Sequence, residues 1–319
     1  MRFTNNQGVS LAMAVWLATD EYDYDFDPKS ISVTSLIAPV RKILLKERLT
    51  PETRPVPDIA DFTASKMGTA IHDSIERAWK NNYAGALRML GHPEKFIQQV
   101  VINPETVEPD QIPIYVEQRI KTPYRGYNIR GKFDLVIDGV LQDTKTTSVY
   151  SYMLGSKDED YALQGSLYRW LNQEKITADY MQIQFCFTDW QKSLVGTREN
   201  YPPSRTQEHT IGLLSIAETE AWINAKLDEL EKFADAPEEQ IPMCSDKDLW
   251  RSPAVYKYFS DPKKTTGRST KNFKSLAEAN QLKTKKGRGV VLTVPGTVKA
   301  CGYCPAFDIC TQKDGYDHG

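Results

Sequence analysis

Between Lys132 and Thr147 the chain reads KFDLVIDGVLQDTKTT, two short runs of alternating apolar residues on either side of Asp138-Gly139. Asp-Gly suits a two-residue type I′ turn, whose two central residues both take positive φ, so the stretch predicts a β-hairpin of fixed register. Counting outward from the turn pairs Ile137 with Val140, Val136 with Leu141, Leu135 with Gln142 and Asp134 with Asp143. Cross-strand neighbours have Cβ atoms roughly 5 Å apart. Lys145, two residues beyond Asp143, shares the face of the aspartates. Phe133, Leu135, Ile137 and Val140 make the other face apolar, so the hairpin is expected inside the fold with helices on both sides. Like charges opposed on paired strands are destabilising, and something must offset them. A divalent cation does so: hard oxygen ligands on adjacent strands suit Mg²⁺ or Mn²⁺ and leave positions open for water and a phosphate. Lys145 beside such an ion could hold or help deprotonate an attacking water and balance charge on a pentavalent phosphate. The bland alternative is a surface hairpin whose Asp and Lys residues only make ion pairs, so its neighbours must decide.

Upstream, ASKMGTAIHDSIERAW places Met67, Ala70, Ile71, Ser74, Ile75 and Ala78 on one stripe of an amphipathic helix, with Gly68 and His72 on the adjoining stripe. Gly68 would let backbone approach closely one turn before the imidazole, and neutral imidazole is a good ligand for Mn²⁺. Considered alone, His72 reads better as a hydrogen-bonded core histidine. Downstream, YALQGSLYRWLNQ predicts a helix carrying Gln164 and Tyr168 four residues apart, hence on one face. They could contact phosphate or water, or form a half-buried helix edge beside Leu163, Leu167 and Leu171. Further strands are expected near Ile114–Ile120 and in YMQIQFCF. SVTSLIAPVRKILLKER predicts one or two short helices, and IAETEAWINAKLDELEKFAD a long one.

The 319 residues carry a formal net charge of -2, which does not mark a nucleic-acid binder, but the charge is uneven. From Lys257 to Arg288 ten lysines and arginines face two acids, a net of +8. Interleaved Tyr256, Tyr258 and Phe273 would let that segment follow a phosphate backbone and stack bases, where a solvated surface is the plain alternative. DEYDYDFD, Asp20 to Asp27, is acidic in return and reads equally well as solvated surface. After Pro242 the sequence reads as basic and irregular. No signal peptide and no apolar run of bilayer length is visible, so no membrane and a cytoplasmic location are expected. Three of the five cysteines crowd into CGYCPAFDIC, which in a cytosolic chain suggests metal rather than disulfides.

In order, Gly68 and His72, Asp134 in GKFDLVID, Asp143-Thr144-Lys145, then Gln164 and Tyr168 resemble the PD-(D/E)XK nuclease superfamily, and most closely its RecB-like branch. That branch includes the nuclease domains of RecB and AddAB and the nucleases of CRISPR adaptation. The resemblance implies a restriction-endonuclease-like core, an α/β fold with a central mixed β-sheet flanked by helices. It implies that His72, Asp134, Asp143 and the Thr144 carbonyl bind Mg²⁺ or Mn²⁺ and that Lys145 is the catalytic lysine. Gln164 and Tyr168 match the branch's Gln-x-x-x-Tyr motif, linked to DNA contact near the scissile phosphate. Glu117, in the preceding strand, is a candidate accessory acid outside any motif.

Cys301, Cys304 and Cys310 supply three soft ligands, where a tetrahedral site or a cubane wants four. In iron-sulfur members of the branch the same C-x₂-C-x₅-C spacing joins one cysteine upstream of the core. Here the corresponding region, SVTSLIAPVRK, has none. Cys244 in IPMCSDKDLW is then the better fourth ligand, and Cys186 in YMQIQFCF reads as a buried strand residue. The resemblance implies a [4Fe-4S] cluster, with structural Zn²⁺ as the alternative, stapling a C-terminal lobe. The expected organisation is a helical segment over 1–60, a nuclease core over 61–240 and a basic, cysteine-cluster lobe over 241–319.

The function expected is a metal-dependent deoxyribonuclease, an exonuclease of the stand-alone phage type in recombination, repair or DNA-end processing, acting on single-stranded DNA or duplex ends. The alternatives are a structure-specific endonuclease and a catalytically silent DNA-binding or interaction subunit. No G-x-x-x-x-G-K-[ST] motif is present, so unwinding would fall to a partner such as a helicase, and a single-strand annealing protein is a second candidate partner.

Overall fold

The computed structural model describes residues 3–20, 25, 27, 29–155 and 157–318, so Glu21 to Tyr24 and Phe26 of the acidic run lie outside the described residues. Contacts divide the chain into one unit of Met1–Ala38 with Val56–Leu227 and another of Pro39–Pro55 with Asp228–Gly319.

The first unit begins with α1 (Leu11–Ala18), β1 (Ser30–Ser32) and α2 (Val33–Ile37). Ser32 caps α2 by accepting a hydrogen bond from the Ser35 N–H, and Pro39 separates it from α3 (Val40–Glu47) of the second unit. The first unit continues with α4 (Thr63–Met89), α5 (Glu94–Gln99), β2 (Val100–Ile102), β3 (Ile112–Tyr124), β4 (Tyr127–Ile137) and β5 (Val140–Thr147). After α6 (Val149–Leu154) and α7 (Asp158–Leu171) come β6 (Tyr180–Phe187), β7 (Thr206–Gly212) and α8 (Ile216–Phe233), whose residues from Asp228 onward belong to the second unit.

Its strands form one mixed sheet in the order β2-β3-β4-β5-β6-β7, with β1 parallel to β4. Two turns set the register of its centre. Asp138 (φ 47°) and Gly139 (φ 79°) join β4 to β5, and Ile137–Val140, Val136–Leu141 and Leu135–Gln142 pair as counted from the sequence. Arg125 (φ 48°) and Gly126 (φ 80°) join β3 to β4 in the same way. Helices cover both faces. Val116 and Leu135 pack with Leu87 of α4 and Ile97 of α5, while Leu141 and Met181 meet α7 at Gly165. A Cβ on Gly165 would lie 2.4 Å from the Met181 sulfur, so glycine there sets how closely α7 approaches the sheet.

The stripe expected on α4 is rotated. Met67 is 42% exposed and Ala70, Ser74 and Ala78 are exposed, while Trp79 and Tyr83 pack on the core and Ile71, His72, Ile75 and Glu76 are half-buried. The large aromatic side chains set the buried side, because alanine and serine lose little by facing water. Nothing lies within 4 Å of a Cβ placed on Gly68, so that glycine does not serve close packing.

The second unit is not irregular after Pro242. It contains β8 (Val255–Phe259), β9 (Lys271–Phe273), α9 (Leu276–Lys286) and β10 (Val290–Val294), with an antiparallel sheet in the order β10-β8-β9. Tyr258, read as a surface aromatic, is 1% exposed and donates its hydroxyl to the Arg288 carbonyl. Among the described residues no helix is long and apolar enough to cross a membrane.

Candidate active site and cysteine cluster

The β4–β5 ladder stops one pair short of the aspartates, at Leu135–Gln142. Asp134 and Asp143 therefore do not face each other as a ladder pair, which corrects the direct opposition expected from counting. The strands part, and the Asp134 carboxylate enters the gap, where its Oδ2 accepts the Thr144 N–H at 2.9 Å. On the same edge β1 pairs with Asn128 to Arg130, so residues 131–134 of β4 lie between two ladders. Opposed carboxylates cost free energy, and splaying removes the opposition while satisfying a backbone donor.

His72 reaches this carboxylate from α4, with Nδ1 3.1 Å from Asp134 Oδ2. Glu117 reaches it from β3. The flanking pairs Val116–Leu135 and Gln118–Phe133 place Glu117 across from Asp134, but Glu117 has φ 52° and leaves the ladder. Ligand atoms of His72, Glu117 and Asp134 lie within 4.8 Å of one another, and Asp143 does not join them at that distance. A cavity of about 10 Å³ lies among these three and Thr144, about the room one water or small ion needs.

Burial pushes the Glu117 carboxyl above its usual range, partly offset by an ion pair with Lys132. At Asp134 burial acts the same way, but the hydrogen bond and charge of His72 and the Thr144 N–H outweigh it and hold the carboxyl low. His72 is raised in return, first by its hydrogen bond to Asp134. Asp143, 3% exposed, is pushed up to about 6 by burial, with the Asp134 charge adding and Lys145 opposing.

Lys145 joins the remaining residues. Its Nζ is 2.6 Å from Asp143 Oδ2, donates to Gln164 Oε1 at 3.4 Å and lies 5.4 Å from the centre of the Tyr161 ring. Gln164 Nε2 in turn donates to the Tyr168 hydroxyl at 3.2 Å. A Cβ at Gly131 would come within 2.9 Å of the Tyr168 ring, so glycine in β4 leaves room for that side chain. Burial pushes the Tyr161 phenol up to about 12, with Asp143 adding to it. The structure thus brings His72, Asp134 and Thr144 together, and Asp143, Lys145, Gln164 and Tyr168 into one polar chain. Glu117, expected as an accessory acid, joins the first group, and Tyr161 is an addition to the predicted set. The Arg125-Gly126 turn carried the signal for Glu117, since counting outward from Tyr124 opposite Tyr127 places it across from Asp134.

The donor set fits Mg²⁺ or Mn²⁺: carboxylates, one imidazole and a backbone carbonyl are oxygen-rich and hard. The buried Glu117 Oε2 and Asp143 Oδ2 make no well-formed hydrogen bond among the described residues, each being met by a lysine ammonium. A divalent ion would compete with those ammoniums for the same carboxylate oxygens.

Cys244, Cys301, Cys304 and Cys310 all lie half-buried in the second unit, and Cys186 lies on β6 of the first. Gln312 ties Cys244 to the C-terminal segment, accepting its N–H and donating to its carbonyl, both at 2.8 Å. Burial pushes the Cys244 thiol up to about 12, and Asp248, Cys310 and Cys304 add to the shift. Arg41 of α3, 2% exposed, donates Nε to Cys310 Sγ at 3.3 Å and is ion-paired to Glu238. The cysteine-free SVTSLIAPVRK thus delivers an arginine to the cysteine group. Among the described residues no three cysteine sulfurs lie within 4.8 Å of one another. Four sulfurs on one zinc, at about 2.3 Å each, would lie within about 4 Å of one another.

No family model matches the chain, and no curated protein matches it. Among solved structures it is similar to the crystal structure of SSO0001, at 16% identity and TM-score 0.42, over 76% of this chain and 98% of that one. It is also similar to a phage-related exonuclease from Haemophilus somnus 129PT, at 15% identity and TM-score 0.26, over 38% of this chain and 60% of that one. Both likenesses are weak, and the second is partial.

Proposed function

We propose that this chain is a divalent-metal-dependent deoxyribonuclease that hydrolyses DNA phosphodiester bonds at the splayed end of the β4–β5 hairpin, as an exonuclease in recombination, repair or end processing. The observation that carries the reading is the pairing of two groups, each joining a helix to the same sheet: His72, Glu117 and Asp134 around a small cavity, and the Asp143–Lys145–Gln164–Tyr168 chain. Asp134, Asp143, the Thr144 carbonyl and His72 would hold Mg²⁺ or Mn²⁺, with Glu117 a further ligand. Such an ion, when bound, polarises a phosphoryl oxygen and acidifies a water ligand.

The chain's own residues supply the rest. Lys145 is fixed between Asp143 and Gln164, which orients its ammonium and leaves donor capacity for a phosphate oxygen or a water. Gln164 and Tyr168, linked to each other and anchored through α7, position that ammonium and can hydrogen-bond the strand. His72 fixes the Asp134 carboxylate and must give up its proton before it ligates an ion.

Cys244, Cys301, Cys304 and Cys310 hold a [4Fe-4S] cluster in this reading, with Zn²⁺ as the alternative. The proximity of Cys304 and Cys310 to Cys244, felt in its raised thiol, supports a shared metal centre. A separate helicase or annealing protein would supply the strand.

The test is incubation of end-labelled linear DNA and closed circular DNA with Mg²⁺, Mn²⁺ or EDTA. Metal-dependent loss of the linear form alone is expected. Cutting of the circle would make it an endonuclease, and no cleavage under anaerobic conditions would leave a silent binding subunit.

A further inference from the structure

The second unit has a feature that hydrolysis does not use. β9 and α9 are consecutive, and β9 is held antiparallel to β8 through Tyr256–Phe273, Lys257–Asn272 and Tyr258–Lys271. Between β9 and α9 lies an open groove of about 700 Å³, within the size range of ligand sites. Lys271, Lys274 and Lys285 line it against one acid, Glu278. Among the described residues none of the three ammoniums is paired to a carboxylate; Lys271 instead lies 5.0 Å from the centre of the Phe273 ring. Phe273 is half-buried, and Asn272, Gln281 and Leu282 complete the lining.

We infer that the β9–α9 groove binds a single strand of DNA, its phosphates on Lys271, Lys274 and Lys285 and a base stacked on Phe273. Unpaired positive charge around a groove selects a polyanion. An aromatic ring in the groove wall selects an unpaired strand, since only there are base faces free to stack. Asn272 and Gln281 offer both donors and acceptors to base edges, which a groove for inorganic anions alone would not need. The inference rests on the deoxyribonuclease reading only for the choice of deoxyribose over ribose.

The test is fluorescence anisotropy of a labelled oligothymidylate and a labelled duplex hairpin with the full chain, its cysteine centre intact, in EDTA so that nothing is cleaved. The wild type should hold the single strand more tightly than the duplex. Lys271→Glu with Lys285→Glu should weaken single-strand binding at least about tenfold and flatten the dependence of log affinity on log salt by at least about 1.4, at about 0.7 per lost phosphate contact. Phe273→Ala should weaken it roughly five- to hundredfold with the salt slope unchanged. Should the double reversal fail to fold, Lys271→Gln with Lys285→Gln carries the same test. Affinities equal to wild type, or tighter duplex binding indifferent to Phe273→Ala, would overturn the inference. Hydrolysis of a small chromogenic thymidine phosphodiester by the wild type, in Mn²⁺, reports separately on the nuclease reading. Its absence would sink that reading while leaving the groove to the anisotropy result.

Discussion

Asp134 and Asp143 are the same side chain one strand apart, and their surroundings drive them in opposite directions. His72 and the Thr144 N–H keep Asp134 charged, while burial pushes Asp143 up to about 6. A cation must displace the proton of Asp143 below that pH, and the proton that Asp134 helps His72 retain above its usual range. Affinity for Mn²⁺ should therefore fall as pH is lowered from 8 to 5, steepening below about 6 towards two competing protons. Calorimetry in buffers of different ionisation enthalpy counts those protons, and an affinity flat across that range would contradict the ligand set. Glu117 makes a second prediction. Its folded-state carboxyl is raised, so its charge costs stability above that value and the cost fades as pH drops. In chelator, Glu117→Gln should melt higher than wild type at pH 7.5, with the gain vanishing near pH 4. The same variant should bind Mn²⁺ at least about tenfold more weakly.

At the level of elements, the β4–β5 hairpin was legible and the gap beside it was not. Asp138-Gly139 dictates the β4–β5 register through turn geometry alone, and Arg125-Gly126 does the same for β3–β4. The parting of the strands after Leu135 depends on a side chain intercepting a backbone donor, a tertiary choice that periodicity does not encode. The small sheet of the second unit escaped notice because β9 has three residues and β8 and β10 five each, too short to show alternation amid lysines. The packing of α7 is open to test through Gly131. Alanine there would press on the Tyr168 ring and Leu171, both buried, so Gly131→Ala should lower stability by about 1–3 kcal/mol in a denaturant titration. Unchanged stability would mean that α7 sits further from β4.

At the scale of the whole chain, segments distant in sequence meet within each unit. Arg41 and Cys310 are 269 residues apart yet share a hydrogen bond, and no local pattern could announce it. The close spacing of Cys301, Cys304 and Cys310 was legible, Cys244 was chosen from sequence as their fourth partner, and the structure ties Cys244 to the C-terminal segment through Gln312. Anaerobically purified Cys244→Ala should lose the visible absorbance of the cluster and its iron, whereas Cys186→Ala should keep both. The reverse result would move the fourth ligand to β6.

The central claim is that the gap between Asp134 and Asp143 cleaves DNA with a divalent ion. Its most direct test is single-turnover cleavage of end-labelled linear DNA by wild type and by Asp143→Asn, in Mn²⁺ and in chelator, with melting curves for both proteins. Metal-dependent cleavage by the wild type, slowed by about 10³-fold in a variant that still folds, is the predicted result. Cleavage by Asp143→Asn at the wild-type rate would contradict it.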